Sequence, residues 1–430
     1  MNTTLKHWRE AATLILAAGH KLGADSLASR TPLTAAAASP LTGGQGRSHL
    51  PHKSCFDYDV LLLKRSSKSG FMPNACVFPG GLVHASDFSS EWLDVFKTFS
   101  KSPNFGLRSV TQPGDTRPPL FATDRLKLGS PIPGEVAFRI CALRETFEEC
   151  GVLLFVSKQE EKGLLNSIES RGAPEPEGPL HNKANELCSR DLNKWRDLVN
   201  QNPSNFIQMC RELEVLPNIW ALHEWGNWLT PEGRYGVKRF DTAFFICCLQ
   251  EIPPALQDDK EIVSVKWSTP SEVLQNYQAQ EFWIAPPQVY EISRMCRLPL
   301  LNDLHNFSSR RATEGCEQLL PVLSSKDEHF TALLPGDRWY PSATSGEAAS
   351  GTSSDPKLED PQEEESSLHR IVTVDPYTIT LQINITPKYN HLLPVLGQTF
   401  PYDSKTVKQL PLAEPNVEKT TKRGTIQDTG

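Results

Sequence analysis

The chain has 430 residues, with 44 lysines and arginines against 51 aspartates and glutamates and a formal net charge of −7. That length holds one large or two ordinary domains with a real core, and that charge leaves no general field for nucleic acid or an acidic membrane surface, so an anionic substrate must be held by local basic groups or metal. No apolar run approaches the roughly 20 residues of a membrane-spanning helix, and the ten cysteines show no CxxC pair or zinc spacing, which predicts reduced, buried thiols.

Ala11 to Ala18, centred on Thr13-Leu14-Ile15-Leu16, reads as a buried strand. The basic, Ala/Ser/Thr-rich stretch around it has the composition of a transit peptide, but cleavage there would remove a core strand, so we expect it to be retained. Residues 20–54 lack periodicity and read as a loose excursion between strands. Tyr58 to Leu63 and Cys76 to Phe78 are the next strands, the second running into Pro79-Gly80-Gly81. Residues 88–133 interrupt, with a short helix expected around Trp92 to Phe99 and then a Pro-rich, loop-like stretch. A helix begins near Gly134. Residues 158–180 are polar and Pro/Gly-rich, and a helical stretch is expected from about Asn185 to Leu213. Phe240 to Leu249 is the clearest strand, Glu261 to Trp267 another, and Thr269-Pro270-Ser271-Glu272 carries the N-cap signature of a further helix. Residues 301–341 form a C-terminal extension, 342–368 are Ser/Gly/Glu-rich and expected to be disordered, 369–400 fit a β-hairpin turning at Asp375-Pro376, and 401–430 read as a flexible tail.

The chemistry concentrates at Arg144-Glu145-Thr146-Phe147-Glu148-Glu149-Cys150-Gly151-Val152. At about 100° per residue, Glu145, Glu148 and Glu149 share one face of the helix, while Val136, Ile140, Leu143 and Phe147 form an apolar seam opposite. Gly151 stands where a left-handed cap would end it. Three neighbouring anions repel, and a hard cation such as Mg²⁺ or Mn²⁺ relieves that cost while keeping waters to bridge a phosphate. The bland alternative is the solvated face of an ordinary helix.

Taken together, Phe78-Pro79-Gly80-Gly81, Asp87 and residues 144–152 resemble the Nudix box, GX5EX7REUXEEXGU with U apolar. Asp87 stands where the box has Glu, Thr146 occupies an apolar position, and the spacer from Asp87 to Arg144 is far longer than seven residues. The insertion falls in the loop entering the helix, where added length raises the closure cost only logarithmically. Ile219-Trp220-Ala221-Leu222-His223-Glu224-Trp225-Gly226-Asn227-Trp228, Arg239-Phe240-Asp241-Thr242 and Trp283-Ile284-Ala285-Pro286-Pro287-Gln288 narrow the resemblance to the animal acyl-coenzyme A diphosphatases of the motif-19 type, over roughly residues 8 to 300. Leu61-Leu62-Leu63-Lys64-Arg65-Ser66 and Phe78 to Gly81 match the two ends of the coenzyme A signature LLTxR[SA]x3Rx3Gx3FPGG, with Gly70 in place of its second Arg and Asn74 in place of its Gly.

The resemblance implies a Nudix α/β/α sandwich with a mixed sheet over residues 1–300. It also implies Mg²⁺- or Mn²⁺-dependent hydrolysis of coenzyme A and acyl-coenzyme A to 3′,5′-ADP and (acyl-)4′-phosphopantetheine. The alternatives are a broader pyrophosphatase acting on ADP-ribose, a nucleotide sugar or an RNA cap, and an inactive nucleotide-binding relative. By the same resemblance Glu145, Glu148 and Glu149 hold the metal, a carbonyl of the Gly80-Gly81 turn joins them, and Arg144 orients a box carboxylate. Glu261, beside Asp258 and Asp259, is the candidate general base. Arg65 and Lys64 are candidate phosphate partners, with Lys68 a possible substitute for the missing Arg. Trp220, Trp225, Trp228 and Trp283 either stack on substrate or pack in the core, and His223 is read as a core histidine. The implied compartment is the peroxisome, although Asp428-Thr429-Gly430 is not a Ser-Lys-Leu type address; mitochondrion and cytosol are the alternatives.

Overall fold

The structure, a computed structural model, describes residues 8–20, 50–70, 72–170, 189–231, 239–258, 260–324, 330–341 and 367–395. Most of the expected excursion and linker, and all of the tail, lie outside these residues. In chain order the first elements are β1 (Arg9–Gly19), β2 (Tyr58–Arg65), β3 (Ala75–Val77), β4 (Gly80–Leu82), α1 (Trp92–Val95), α2 (Pro119–Ala122) and α3 (Gly134–Cys150). Then come β5 (Phe155–Ser157), α4 (Glu161–Ser170), α5 (Ser189–Gln201), α6 (Asn205–Glu212), β6 (Val215–Pro217), β7 (His223–Leu229), β8 (Phe240–Leu249) and β9 (Ile262–Ser268). The last are α7 (Pro270–Gln278), β10 (Trp283–Ile284), α8 (Pro286–Met295), α9 (Leu301–Arg311), β11 (Gln318–Leu319), β12 (Val322–Ser324), β13 (Phe330–Leu333), β14 (His369–Asp375) and β15 (Thr378–Ile383).

β1 lies at the centre of a mixed sheet ordered β10-β3-β2-β1-β8-β7-β11, with β4 also beside β1 and β9 also beside β2. It runs parallel to β8 from Arg9 opposite Phe240 to Ala18 opposite Leu249. Alternate residues divide between two cores, as a period of two requires. Leu14, Leu16, Leu61, Leu63, Phe245 and Cys247 join α3, α5 and α6 on one face. Ile15, Ala17, Val60, Leu62, Phe244, Ile246 and Cys248 join α7, α8 and α9 on the other. A sheet covered on both faces needs apolar residues at successive positions, which is why β1 and β8 read as continuous runs. This is the expected α/β/α sandwich.

Several expectations change. Opposite its acidic face, α3 has far more than an apolar seam, because 14 of its residues are buried, Arg144 and Glu149 among them. The cover comes from residues 88–133, which are not a loose loop. Trp92, Phe96, Phe99, Phe105, Leu120, Phe121 and Ile132 all enter the core, at spacings too irregular to register as a helix or strand. The helix expected there shortens to Trp92–Val95. Within 158–180, Glu161–Ser170 is helical, and the stretch from 185 to 213 divides into α5 and α6 around Asn202 and Pro203, the proline denying the ladder a donor. Beyond residue 300 the chain continues to pack on the same body, with Leu301 and Leu304 of α9 in the second core and β11 paired with β7. The hairpin of β14 and β15 forms as expected and belongs to a second, four-stranded sheet, β12-β13-β14-β15. All nine described cysteines are free, and all but Cys55 are buried.

Candidate active site

The site lies where β1 and β2 part. They pair only from Ala17–Val60 to Gly19–Tyr58, and further along β4 takes the edge of β1, with Thr13 opposite Gly80 and Ala12 opposite Gly81. The acidic face of α3 meets this turn. The Gly80 N–H donates to Glu149 Oε2 at 2.9 Å. Gly80 has a φ of 152° and no room for a Cβ against Ala12 and Thr13, while a Cβ on Gly81 would stand 2.5 Å from Glu145 Oε2. Both glycines are therefore demanded by backbone conformation or close approach.

Arg144, 1% exposed, joins the two halves of the split box. Its Nε and Nη2 donate to the two oxygens of Asp87, both at 2.9 Å, and Nη2 also reaches Leu82 O at 3.0 Å. Nη1 donates to Glu145 Oε1 and Glu148 Oε1, both at 2.8 Å. Asp87, one methylene shorter than the Glu of the family pattern, thus makes a bidentate contact across the inserted segment. The insertion also returns to its start, with Ser130 Oγ donating to Phe88 O at 2.7 Å. Thr146, at an apolar box position, is fully buried and donates its hydroxyl to Ala142 O at 2.7 Å, which explains how a polar residue is accommodated there.

Burial shifts all three helix carboxyls upward. Glu145 is pushed up to about 7 by desolvation, with Arg144 opposing and Glu148 and Asp87 adding to the shift. Glu148 is raised by desolvation, again opposed by Arg144 and reinforced by Asp87 and Glu261. Glu149 is held well above the usual carboxylate range, by burial and then by Glu145, against the Gly80 N–H. Three acids with one arginine between them are short of positive charge. Among the described residues no group of three or more acidic, His or Cys side chains is already gathered as a metal site. The donors nevertheless suit a hard divalent cation, being all carboxylate oxygens.

The carboxylates open into a cavity of about 840 Å³ that is also lined by Arg9, Arg65, Lys68, Gly80, Gly81 and Glu261. Arg65 donates to Glu261 Oε1 at 2.6 Å and to Ser69 Oγ at 2.6 Å. Lys64 does not join them. It is exposed, stands at a break in the register between β2 and β9, and does not line the cavity, whereas Lys68 does. Of the four tryptophans only Trp228 reaches the cavity, its indole N–H held by Glu291 at 2.8 Å. Trp225 is fully buried and donates to the same carboxylate at 2.7 Å. Trp220 packs on Phe99 and donates to Phe105 O, and Trp283 donates to Pro376 O. His223 is half-buried against His305, with burial lowering it to about 3, and does not line the cavity.

Two sets of lining residues escaped the sequence reading. Thr242 and Phe244 lie on the strand it recognised best, but only the register shows which side faces the cavity. Leu323, Phe330, Ala332 and Ile371, from the second sheet, also line it. Strands of three to seven residues gave those positions too weak a pattern to place beside a site made by the first half of the chain.

Comparison with known proteins places these features together. The family profile of the NUDT19 Nudix domain matches residues 8–295, and that of the NUDT19 C-terminal domain matches residues 323–384. The chain is 46% identical to "Acyl-coenzyme A diphosphatase NUDT19" of Xenopus laevis, over 92% of this chain and 97% of that one. It is 46% identical to the protein of the same name from Gallus gallus, over 93% and 98%, and 38% identical to that from Homo sapiens, over 90% and 94%. With a box rejoined through Arg144 and Asp87, and a second sheet that completes the same cavity, this chain belongs to the NUDT19 family of Nudix hydrolases.

Proposed function

We propose that this protein is a Mg²⁺- or Mn²⁺-dependent diphosphatase that hydrolyses the pyrophosphate bond of coenzyme A and acyl-coenzyme A, giving 3′,5′-ADP and (acyl-)4′-phosphopantetheine. The observation that carries the reading is the 46% identity to relatives named acyl-coenzyme A diphosphatase, over more than nine-tenths of both chains. The cavity supports it. Acids stand at one wall, Arg65 and Lys68 beside them, and apolar groups cover much of the remainder, a distribution that fits a ligand with an anionic centre and a long, less polar arm.

Glu145, Glu148 and Glu149 would hold the cation, which when bound neutralises pyrophosphate oxygens and makes water a better nucleophile at neutral pH. The Gly80 N–H keeps Glu149 in place, and Arg144 does the same for Glu145 and Glu148, so these groups need little reorganisation. Arg65 presents its guanidinium to a substrate phosphate. A phosphate oxygen there takes the donor that now holds Glu261, releasing that carboxylate to accept a proton from the attacking water. Incubation of the purified protein with Mg²⁺ and coenzyme A, followed by mass spectrometry, tests the proposal. We expect 3′,5′-ADP and 4′-phosphopantetheine; intact coenzyme A alongside cleaved ADP-ribose would refute the specificity.

A further inference from the structure

The cavity extends well beyond the acids. From the Gly80-Gly81 turn on β4 it passes β1, β8 and β7, where Phe244 and Trp228 line it, and reaches the second sheet. Three steps between strands at about 4.8 Å place β7 roughly 14 Å from the turn, with the second sheet beyond it. There Leu323, Ala332 and Ile371 stand opposite one another in register on β12, β13 and β14. Phe330 and Thr373 are paired two residues along, on the same face by strand alternation. Ala332, the smallest of the row, lies between Leu323 and Ile371, so the row has a shallow floor between higher sides. Phe330 is 55% exposed, a large apolar side chain open to a cavity whose other end is charged.

We propose that this row on the second sheet is the subsite for the acyl chain of acyl-coenzyme A, an inference that rests on the function proposed above. The pantetheine arm is built like a short peptide of about four residues, and extended residues span roughly 3.4 Å each. With the pyrophosphate at the acids, the extended arm brings the thioester to β7 beside Trp228, and the acyl chain runs on along the same cavity to the second sheet. Free coenzyme A has nothing apolar to bury there. An acyl chain gains about fourfold in affinity for each methylene it buries. The C-terminal sheet, which supplies none of the acids of the reacting centre, thereby sets which acyl-coenzyme A is preferred.

The test is kcat/KM for coenzyme A and for its acetyl, hexanoyl and dodecanoyl thioesters, measured in the parent, Phe330→Ala and Ala332→Phe. In the parent kcat/KM should rise with chain length. Phe330→Ala removes an exposed ring and should lower the dodecanoyl-to-coenzyme A ratio by about tenfold. Ala332→Phe, which fills the floor, should lower the same ratio while sparing the acetyl thioester relative to the dodecanoyl. Ratios unchanged within twofold in both variants, or a parent that cleaves coenzyme A with no dependence on chain length, would overturn the subsite alone. A parent that cleaves none of the four but does cleave another nucleoside diphosphate derivative would overturn the underlying function, and the subsite with it.

Discussion

Glu149 couples helix, turn and cavity through one carboxylate, and it is the sharpest single-residue probe of the site. Glu149→Gln keeps the shape and can still accept from the Gly80 N–H, but removes the charge. It should lower kcat by roughly 100-fold or more, while thermal unfolding changes little because the carboxyl is already disfavoured as an anion by burial. Gly81→Ala acts from the other side. The added methyl meets the end of the Glu145 side chain, not backbone, so the carboxylate is displaced. Activity should fall at least tenfold with a stability change of less than about 1 kcal/mol, a combination read from steady-state rates and a thermal melt. At this scale much of the geometry of the candidate site was legible in the sequence. The spacing of Glu145, Glu148 and Glu149 follows from helix geometry, and Gly80 and Gly81 from their pairing in the motif. Arg65 and Lys64 were equally plausible as phosphate partners because adjacent cations look alike in sequence, and which one lines the cavity depends on the break in the β2–β9 register between them.

The inserted segment is the element whose role changes most on folding. It leaves at Asp87 and returns beside it, so the long spacer adds chain without separating the parts of the box. Trp92, 1% exposed, packs on Phe96 and Phe206 and donates to Ser86 O at 2.9 Å. Trp92→Ala should therefore cost about 3–5 kcal/mol, seen as a lower urea midpoint, and should reduce activity at temperatures where the parent is fully folded. Asp87→Ala should destabilise by a similar amount, about 3–5 kcal/mol, since it leaves Arg144 buried without its bidentate partner. At the other end of the chain, His369 bridges Tyr290 Oη at 2.8 Å and Pro335 O at 2.6 Å, and burial lowers it to about 4. Its folded pKa is depressed below the unfolded value of about 6.5, so the unfolded chain binds the extra proton and stability falls as pH drops from about 6.5 to 4. The contribution is on the order of 3 kcal/mol across that window. His369→Gln should flatten that part of the pH profile relative to the parent, measured by urea unfolding at each pH; parallel profiles would show that His369 titrates as in solvent. Asp87, Arg144 and a helix at Trp92 were legible beforehand, but the core packing of residues 88–133 and the burial of His369 were not, because the aromatic anchors have no period and a buried histidine has no local sequence signature.

Across the whole molecule, the sandwich was readable because the central strands are apolar at successive positions, which only a sheet covered on both faces requires. The Nudix-domain profile ends at residue 295. Family motifs end there, whereas α9, β11 and the second sheet continue the same core and close the same cavity. Long-range assembly of this kind depends on β11 pairing with β7 and on which face of β13 and β14 is presented, and neither is encoded within a short window of sequence. The account as a whole rests on the acids of α3 holding a divalent cation at the Gly80-Gly81 turn. A crystal structure of the full chain soaked in Mn²⁺, with anomalous scattering data, tests that most directly. We predict a peak bounded by the carboxylates of Glu145, Glu148 and Glu149; an ion bound elsewhere, or none at these residues in crystals that cleave coenzyme A, would contradict it.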